Sequence, residues 1–209
     1  MRYLESSVTT AYTNTLPVSV ADMKLHLRVT FATEDALIES YIMSAARYIE
    51  TVCQLVLIDA PVTEIFTRTP GGNGSASIYL NYPCEASINP NGFFSLKTGN
   101  ATAVTSITAN TAEVPSTFSA MTNPNVLDAG FNKPRVYAPL GWDFGSIAPY
   151  QIKVIYRAGW ATAAAIPETI KMAIKLQAAN FYENRMDSPQ QMIQASEILM
   201  RPFATAVGI

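Results

Sequence analysis

The spacing of apolar positions changes character twice along this chain. Val20, Met23 and Leu27 share one helical face, and after a short polar link Ile38, Tyr41, Ile42, Ala45, Ile49 and Val52 recur at helical spacing. Ser19, with Asp22 three residues on, makes an acidic version of the capping box, and Val18 and Met23 occupy the two positions of a hydrophobic staple. In the second helix Thr33 is the candidate cap, and Glu34 and Asp35 sit where the positive helix start favours acids. The first helix is short and needs a partner, which the second supplies.

From about Leu55 to Tyr156 the period shortens. LVLID, VTEIFTR, ASIYL, AVTSITA and QIKVIYRA are short runs rich in Val, Ile, Thr and Tyr, set between Gly, Pro and Asn clusters, and they predict a small antiparallel β region. The linkers TPGGNGSA and NYPCEASINPNG are turn-rich, and EVPSTFSAMTNPNVLDAGFNKPR is a long irregular stretch of the kind that is functional or mobile in compact domains. Helical spacing returns in IPETIKMAIKLQAANFYENR, with Pro167 suited to the first helical position, Glu168 in the first turn, and Ile170, Ala173, Ile174, Ala178 and Phe181 as the buried stripe. A last helix is expected to start at Ser188, with Pro189 next and Gln191 completing a capping box, and to stop near Pro202.

These elements predict an α+β fold, mainly α with a β insertion. A four-helix core, two N-terminal and two C-terminal helices over 17–54 and 166–203, surrounds a small antiparallel β region at about 55–160, the whole forming a single domain over 1–209. The apolar tail PFATAVGI is expected to dock onto something rather than stay solvated.

Composition narrows the function. Charged residues make up only 14% of the chain, against roughly 25% in a typical soluble domain, so much of the surface is neutral, which suits either broad contact with other protein or an adhesive extracellular domain. The net charge is -2 and Lys and Arg form no run, which argues against a groove that grips DNA electrostatically. The N-terminus lacks the apolar stretch of a signal peptide, and no segment offers about 20 unbroken apolar residues, so a soluble, unexported chain without membrane contact is expected. Cys53 and Cys84 match no metal motif or redox pair and are expected as reduced thiols, with a disulfide between them as the alternative.

Candidate chemistry is sparse. His26, the one histidine, lies between two leucines on the short first helix and reads as a helical surface residue or a structural donor. PGGNGSA lacks the Lys-Ser/Thr of a phosphate loop and joins two strand-like runs, as a hairpin tip would. No nucleophile and base, metal set or cofactor motif emerges, so the chain is not expected to be an enzyme, and no catalytic, metal or cofactor residue is assigned. GWDFG at 141–145 and YRAGW at 156–160 place Trp142 and Trp160 as core anchors, with Gly159 closing the last strand. In FYENR, a phenol, an acid and a guanidinium crowd one helix end, and Tyr182, Glu183 and Arg185 suit either a turn-fixing role or a protein interface.

In this order the segments resemble the head-tail connector (adaptor, or head completion) family of tailed bacteriophages. The resemblance is carried by LPVSVADMKLHLRV and DALIESYIMSAARYIETVCQLVLI within 16–58, by YQIKVIYRAGWATAAAIPETIKMAIKLQAANFYENR at 150–185, and by AVTSIT and RVYAPLGW as a strand pair. It implies a ring, commonly of twelve copies, beneath the portal protein in the virion neck. Such a ring extends the DNA channel and offers a platform to a stopper or tail-completion protein. Genomic DNA would pass without sequence-specific binding, and assembly would take place in the bacterial cytoplasm. On this reading Tyr182, Glu183 and Arg185 lie at the turn between the two C-terminal helices, and Arg201, Pro202 and Phe203, with the tail behind them, are candidates for portal contact. The segment from about Gly71 to Gly99 is longer than the family's usual link, and the tail after Pro202 is short. A neck stopper or tail terminator, normally dominated by β structure, is the alternative within the same machinery, and a glycan-binding module of the virion surface is the alternative outside it.

Overall fold

The computed structural model describes residues 5–10, 14–67, 93–110, 119–120, 126–128, 134–137, 151–184 and 195–204. The chain divides into two compact units: Thr13–Asp59 with Gly159–Ile209, and Met1–Tyr12 with Ala60–Ala158.

The first unit is helical. Helix α1 spans Val20–Leu27, and its cap is the one expected: the Asp22 backbone N–H donates to Ser19 Oγ at 3.0 Å, and the Ser19 hydroxyl donates to Asp22 Oδ2 at 2.7 Å. Val18 and Met23, the staple pair, are both buried in the helical core. Helix α2 spans Asp35–Cys53 and buries Ile38, Ile42, Ala45, Ala46, Ile49 and Cys53. Its N-cap is Glu34, without a side-chain cap bond, and not Thr33; the buried face ends on Cys53 in place of Val52. Lys24 ties α1 to the start of α2 through a 2.7 Å ion pair with Asp35.

Helix α3 spans Glu168–Glu183, with Pro167 at the N-cap, one position before the expected one. Ile170, Ala173, Ile174 and Ala178 are buried as the spacing predicts, joined by Gln177. Helix α4 is described over Ala195–Met200 and runs into a 3-10 turn at Arg201–Phe203, so the helix stops at the proline as expected; its proposed start at Ser188 lies outside the described residues.

LVLID is not a strand. Leu55, Val56 and Leu57 are buried, and Leu55 and Leu57 belong to the helical core. Gln54 ends α2 in the left-handed conformation, and the Leu55 N–H reaches back to the Glu50 carbonyl at 3.1 Å. The buried Glu50 carboxylate then accepts the Leu57 N–H at 2.8 Å and the Arg47 guanidinium at 2.6 Å. The Trp160 backbone adds an isolated parallel bridge at Ile58, so the apolar run is held by one side chain and one bridge and serves the core as an extended segment that joins neither sheet.

The second unit is built of strands. β1 (Glu5–Thr10), β2 (Ala60–Thr67), β4 (Ala101–Asn110), β5 (Ser119–Ala120) and β8 (Gln151–Ala158) form an antiparallel sheet in the order β1-β2-β8-β4-β5. β3 (Phe93–Ser95), β6 (Val126–Asp128) and β7 (Arg135–Tyr137) form a smaller one in the order β3-β7-β6. Three of the predicted strand runs, VTEIFTR, AVTSITA and QIKVIYRA, lie in β2, β4 and β8; ASIYL lies outside the described residues, and the N-terminal strand β1 was not anticipated. AVTSIT and RVYAPLGW, expected as a strand pair, supply β4 and β7, which belong to different sheets. Along β8, Ile152, Val154, Tyr156 and Ala158 point inward, the period-2 pattern of a half-buried strand. Glu64 on β2 is also buried, where it accepts the Lys97 N–H at 3.1 Å and the Tyr156 hydroxyl at 3.3 Å. Burial, and then the Glu64 charge, push the Tyr156 phenol above its ordinary range.

Gly159 is needed where the chain returns to the helical unit. Its φ is 114°, and a Cβ there would stand 2.6 Å from both the Asp59 nitrogen and the Ile58 carbonyl carbon. Both obstacles are backbone, which cannot swing aside. Gly159→Ala should therefore destabilise the protein by at least ~2 kcal/mol, read as a lower denaturation midpoint followed by circular dichroism. An unchanged midpoint would show that the crossing relaxes freely.

Candidate assembly interface

Among the described residues no group of three or more His, Cys, Asp and Glu side chains could hold a metal ion, and no helix is long and apolar enough to cross a membrane. His26 is exposed on α1. The Cys53 thiol is buried, with its sulfur 4.0 Å from the Met200 carbonyl, and burial pushes it up to about 11. Little thiolate forms there at neutral pH, so Cys53 packs as an apolar group. Cys84 and Trp142 lie outside the described residues, whereas Trp160 packs, partly buried, against the helical core as an anchor should.

The FYENR cluster resolves into separate roles. The Tyr182 hydroxyl donates to the Glu34 carboxylate across 148 positions of sequence, and its ring meets Tyr41 edge-on with centroids 6.3 Å apart. One aromatic residue in the last turn of α3 thus grips both the N-cap and the first turns of α2. Asn184 closes the helix, its N–H donating to the Asn180 carbonyl at 2.9 Å and its side-chain amide to Asn180 Oδ1 at 2.6 Å. Glu183 is exposed, and Arg185 lies outside the described residues.

At the other predicted surface, Arg201 and Pro202 are exposed, while Phe203 packs against the helical core. The turn is held in place through α4. The Ser196 hydroxyl donates to Gln177 Oε1 at 3.2 Å in the interior, and the Tyr48 hydroxyl donates to Glu197 at 3.4 Å. Burial and the Glu197 charge raise the Tyr48 phenol. Phe203 is therefore an anchor for its turn, and the exposed surface there is that of Arg201 and Pro202.

The sequence reading missed a set of large apolar side chains turned to solvent: Leu25 is 79% exposed, Ile198 56%, Phe31 50% and Met172 44%. The available signal was phase. Leu25 falls between Met23 and Leu27 but off their face, and Met172 sits between the buried Ile170 and Ala173. All four belong to the helical unit.

Loss of the Tyr182 hydroxyl should register in stability. Tyr182→Phe keeps the ring contact with Tyr41 and removes only the bond to Glu34, so a loss of about 1–2 kcal/mol is expected in chemical denaturation. A neutral result would leave the phenol's function to a partner outside the chain.

Comparison with curated proteins finds no match. Residues 17–77 match the family model described as phage gp6-like head-tail connector protein. Three solved structures are similar over nearly the whole chain. A chain in the neck of an empty gene transfer agent (GTA) particle, computed with C6 symmetry, has a TM-score of 0.68 at 21% identity, covering 98% of this chain and 97% of that one. A chain in the virion of a native GTA particle has a TM-score of 0.67 at 23% identity, covering 97% of each chain. One in the native neck computed with C12 symmetry has a TM-score of 0.65 at 20% identity, again covering 97% of each. Over residues 17–77 this chain matches the phage gp6-like head-tail connector family, and across nearly its full length it has the fold of chains found in those particles.

Proposed function

We propose that this protein is a structural head-to-tail adaptor of a tailed phage or phage-like particle. It forms a ring below the portal protein, extends the DNA channel and provides the docking platform for the next neck or tail protein. The observation that carries the reading is the connector-family match over residues 17–77, together with a fold shared end to end with chains from GTA particles, two of them from necks. A neck computed with C12 symmetry is in keeping with twelve copies in the ring. A ring subunit needs two flanks that bury against identical neighbours, and a chain with 14% charged residues and exposed Leu25 and Phe31 has surface of the right kind.

The ring assembles in the bacterial cytoplasm and ends in the virion neck. Genomic DNA slides through it without sequence-specific binding, because a mildly acidic chain avoids the tight phosphate pairing that a basic wall would create. Tyr182, Glu183 and Arg185 border one subunit contact, with Tyr182 holding the end of α3 against α2. Arg201 and Pro202 face the portal, carried on Phe203.

Disrupting the gene in its particle and imaging the lysate is the primary test. Filled heads that leak DNA, beside finished tails that never join them, are expected; complete particles that fail only to adsorb would move the protein to the outer surface. Two variants then separate the contacts. Leu25→Asp with Phe31→Asp should leave the monomer's fold intact and abolish ring formation, whereas Arg201→Glu should weaken portal binding with subunit contacts intact. The opposite pairing of effects would reverse the assignment.

A further inference from the structure

A groove of about 570 Å³ opens at the N-terminal end of α1. It is lined by Leu16, Pro17 and Val20 on the α1 side and by Ala163 and Ala164, which belong to a 3-10 turn over Ala163–Ala165 just before α3. Two lysines one turn apart on α3 border it. Lys171 donates to Glu168 Oε1 at 2.8 Å and to the Ala164 carbonyl at 3.3 Å, which fixes it against the turn. Lys175 stands half-buried further along the same groove.

At the other end of α1 the chain forms a knob. Arg28 turns the backbone with a φ of 58°, Val29 packs against the helical core, and Thr30, Phe31, Ala32 and Thr33 are then all exposed before α2 begins. Phe31, 50% exposed, is the large apolar side chain of that link. Arg28 is exposed ahead of it, and Glu39 is exposed one turn into α2 behind it.

Place, size and charge make the knob and the groove a matched pair. Both belong to the helical unit, and at about 1.5 Å of rise per residue α1 holds Ser19 and Arg28 roughly 13 Å apart, so the link does not line its own groove. An apolar space of about 150 Å³ is enough for a benzene ring, and the groove therefore has room for a phenyl ring with the backbone that carries it. The knob brings an acid, Glu39, and a cation, Arg28; the groove offers a cation, Lys175, and an acid, Asp22. Opposite charges on the two sides set the register of such a contact.

We infer that the Phe31 link of one copy seats in the groove between α1 and α3 of the next, with Glu39 meeting Lys175. The inference rests on the ring reading above and gives the knob its receptor. The contact is heterologous: each subunit presents a knob at one end of α1 and receives one at the other, as a closed ring requires.

The test uses assembled particles carrying Ala32→Cys together with Ala164→Cys, both exposed positions, in a Cys84→Ser background with Cys53 left in the core. Oxidation or a short bis-maleimide should convert the adaptor into a ladder of covalent multimers reaching the full ring, while each single variant stops at a dimer or below. Charge reversal provides the second measurement. Lys175→Glu should cut incorporation into heads by roughly tenfold, and adding Glu39→Lys to the same chain should restore it, a recovery that separates a lost contact from a lost fold. A ring present in the neck with neither ladder nor recovery would overturn the pairing and leave the adaptor reading standing. Cross-linking of Ala32→Cys to a different neck protein would also overturn it. Absence of the protein from the neck would remove the adaptor reading itself.

Discussion

The helical unit depends on one crossing of the chain. Two sequence segments separated by Ala60–Ala158 must meet to make a single core, and they meet where the backbone leaves at Asp59 and returns at Gly159. The Trp160 N–H donates to the Leu57 carbonyl at 3.2 Å, and the Asp59 N–H donates to the Trp160 carbonyl at 2.9 Å. Between these bonds Gly159 lies against the Ile58–Asp59 backbone with no room for a side chain. Glu50 secures the outgoing strand of the crossing, because its carboxylate holds Leu57 while Leu55 and Leu57 fill the core. With that crossing in place α3 lands on α2, and the Tyr182–Glu34 bond and the Tyr41 ring contact complete the match at the other end of the helix pair.

How legible this was in the sequence depended on how local the physics is. The α1 cap and staple involve residues within five positions, and each was readable from Ser19, Asp22, Val18 and Met23 alone. The stripes of α2 and α3 were readable to within a residue or two because helical period dictates them. LVLID was not, since a short apolar run rich in branched side chains fits a strand and a buried loop equally well, and the deciding acceptor, Glu50, looks like any helical acid in sequence. β1 escaped notice because ESSVTT is polar and its partner, Ala60–Thr67, lies far along the chain. The same distance hid the purpose of Tyr182: an aromatic at a helix end looks like surface until Glu34 is known to stand beside it. Leu25 and Met172 could be found only as apolar residues out of phase, a signal that presupposes knowing which face is buried, and Phe31 lies in the link between α1 and α2, where no period applies.

Charge is scarce in this chain, and part of it is spent on the interior. Glu50 and Glu64 are both buried, each receiving a backbone N–H together with a side-chain donor, Arg47 in one unit and Tyr156 in the other. Such groups are costly to bury unpaired and favour one arrangement when paired, so they act as fixed points of the two units. Their burial also removes two of the 16 acidic side chains from the surface of a protein that had few to begin with. The exposed positions described on the helical unit then combine few charges, such as Asp22, Arg28, Glu183 and Arg201, with the apolar side chains of Leu25, Phe31, Met172 and Ile198.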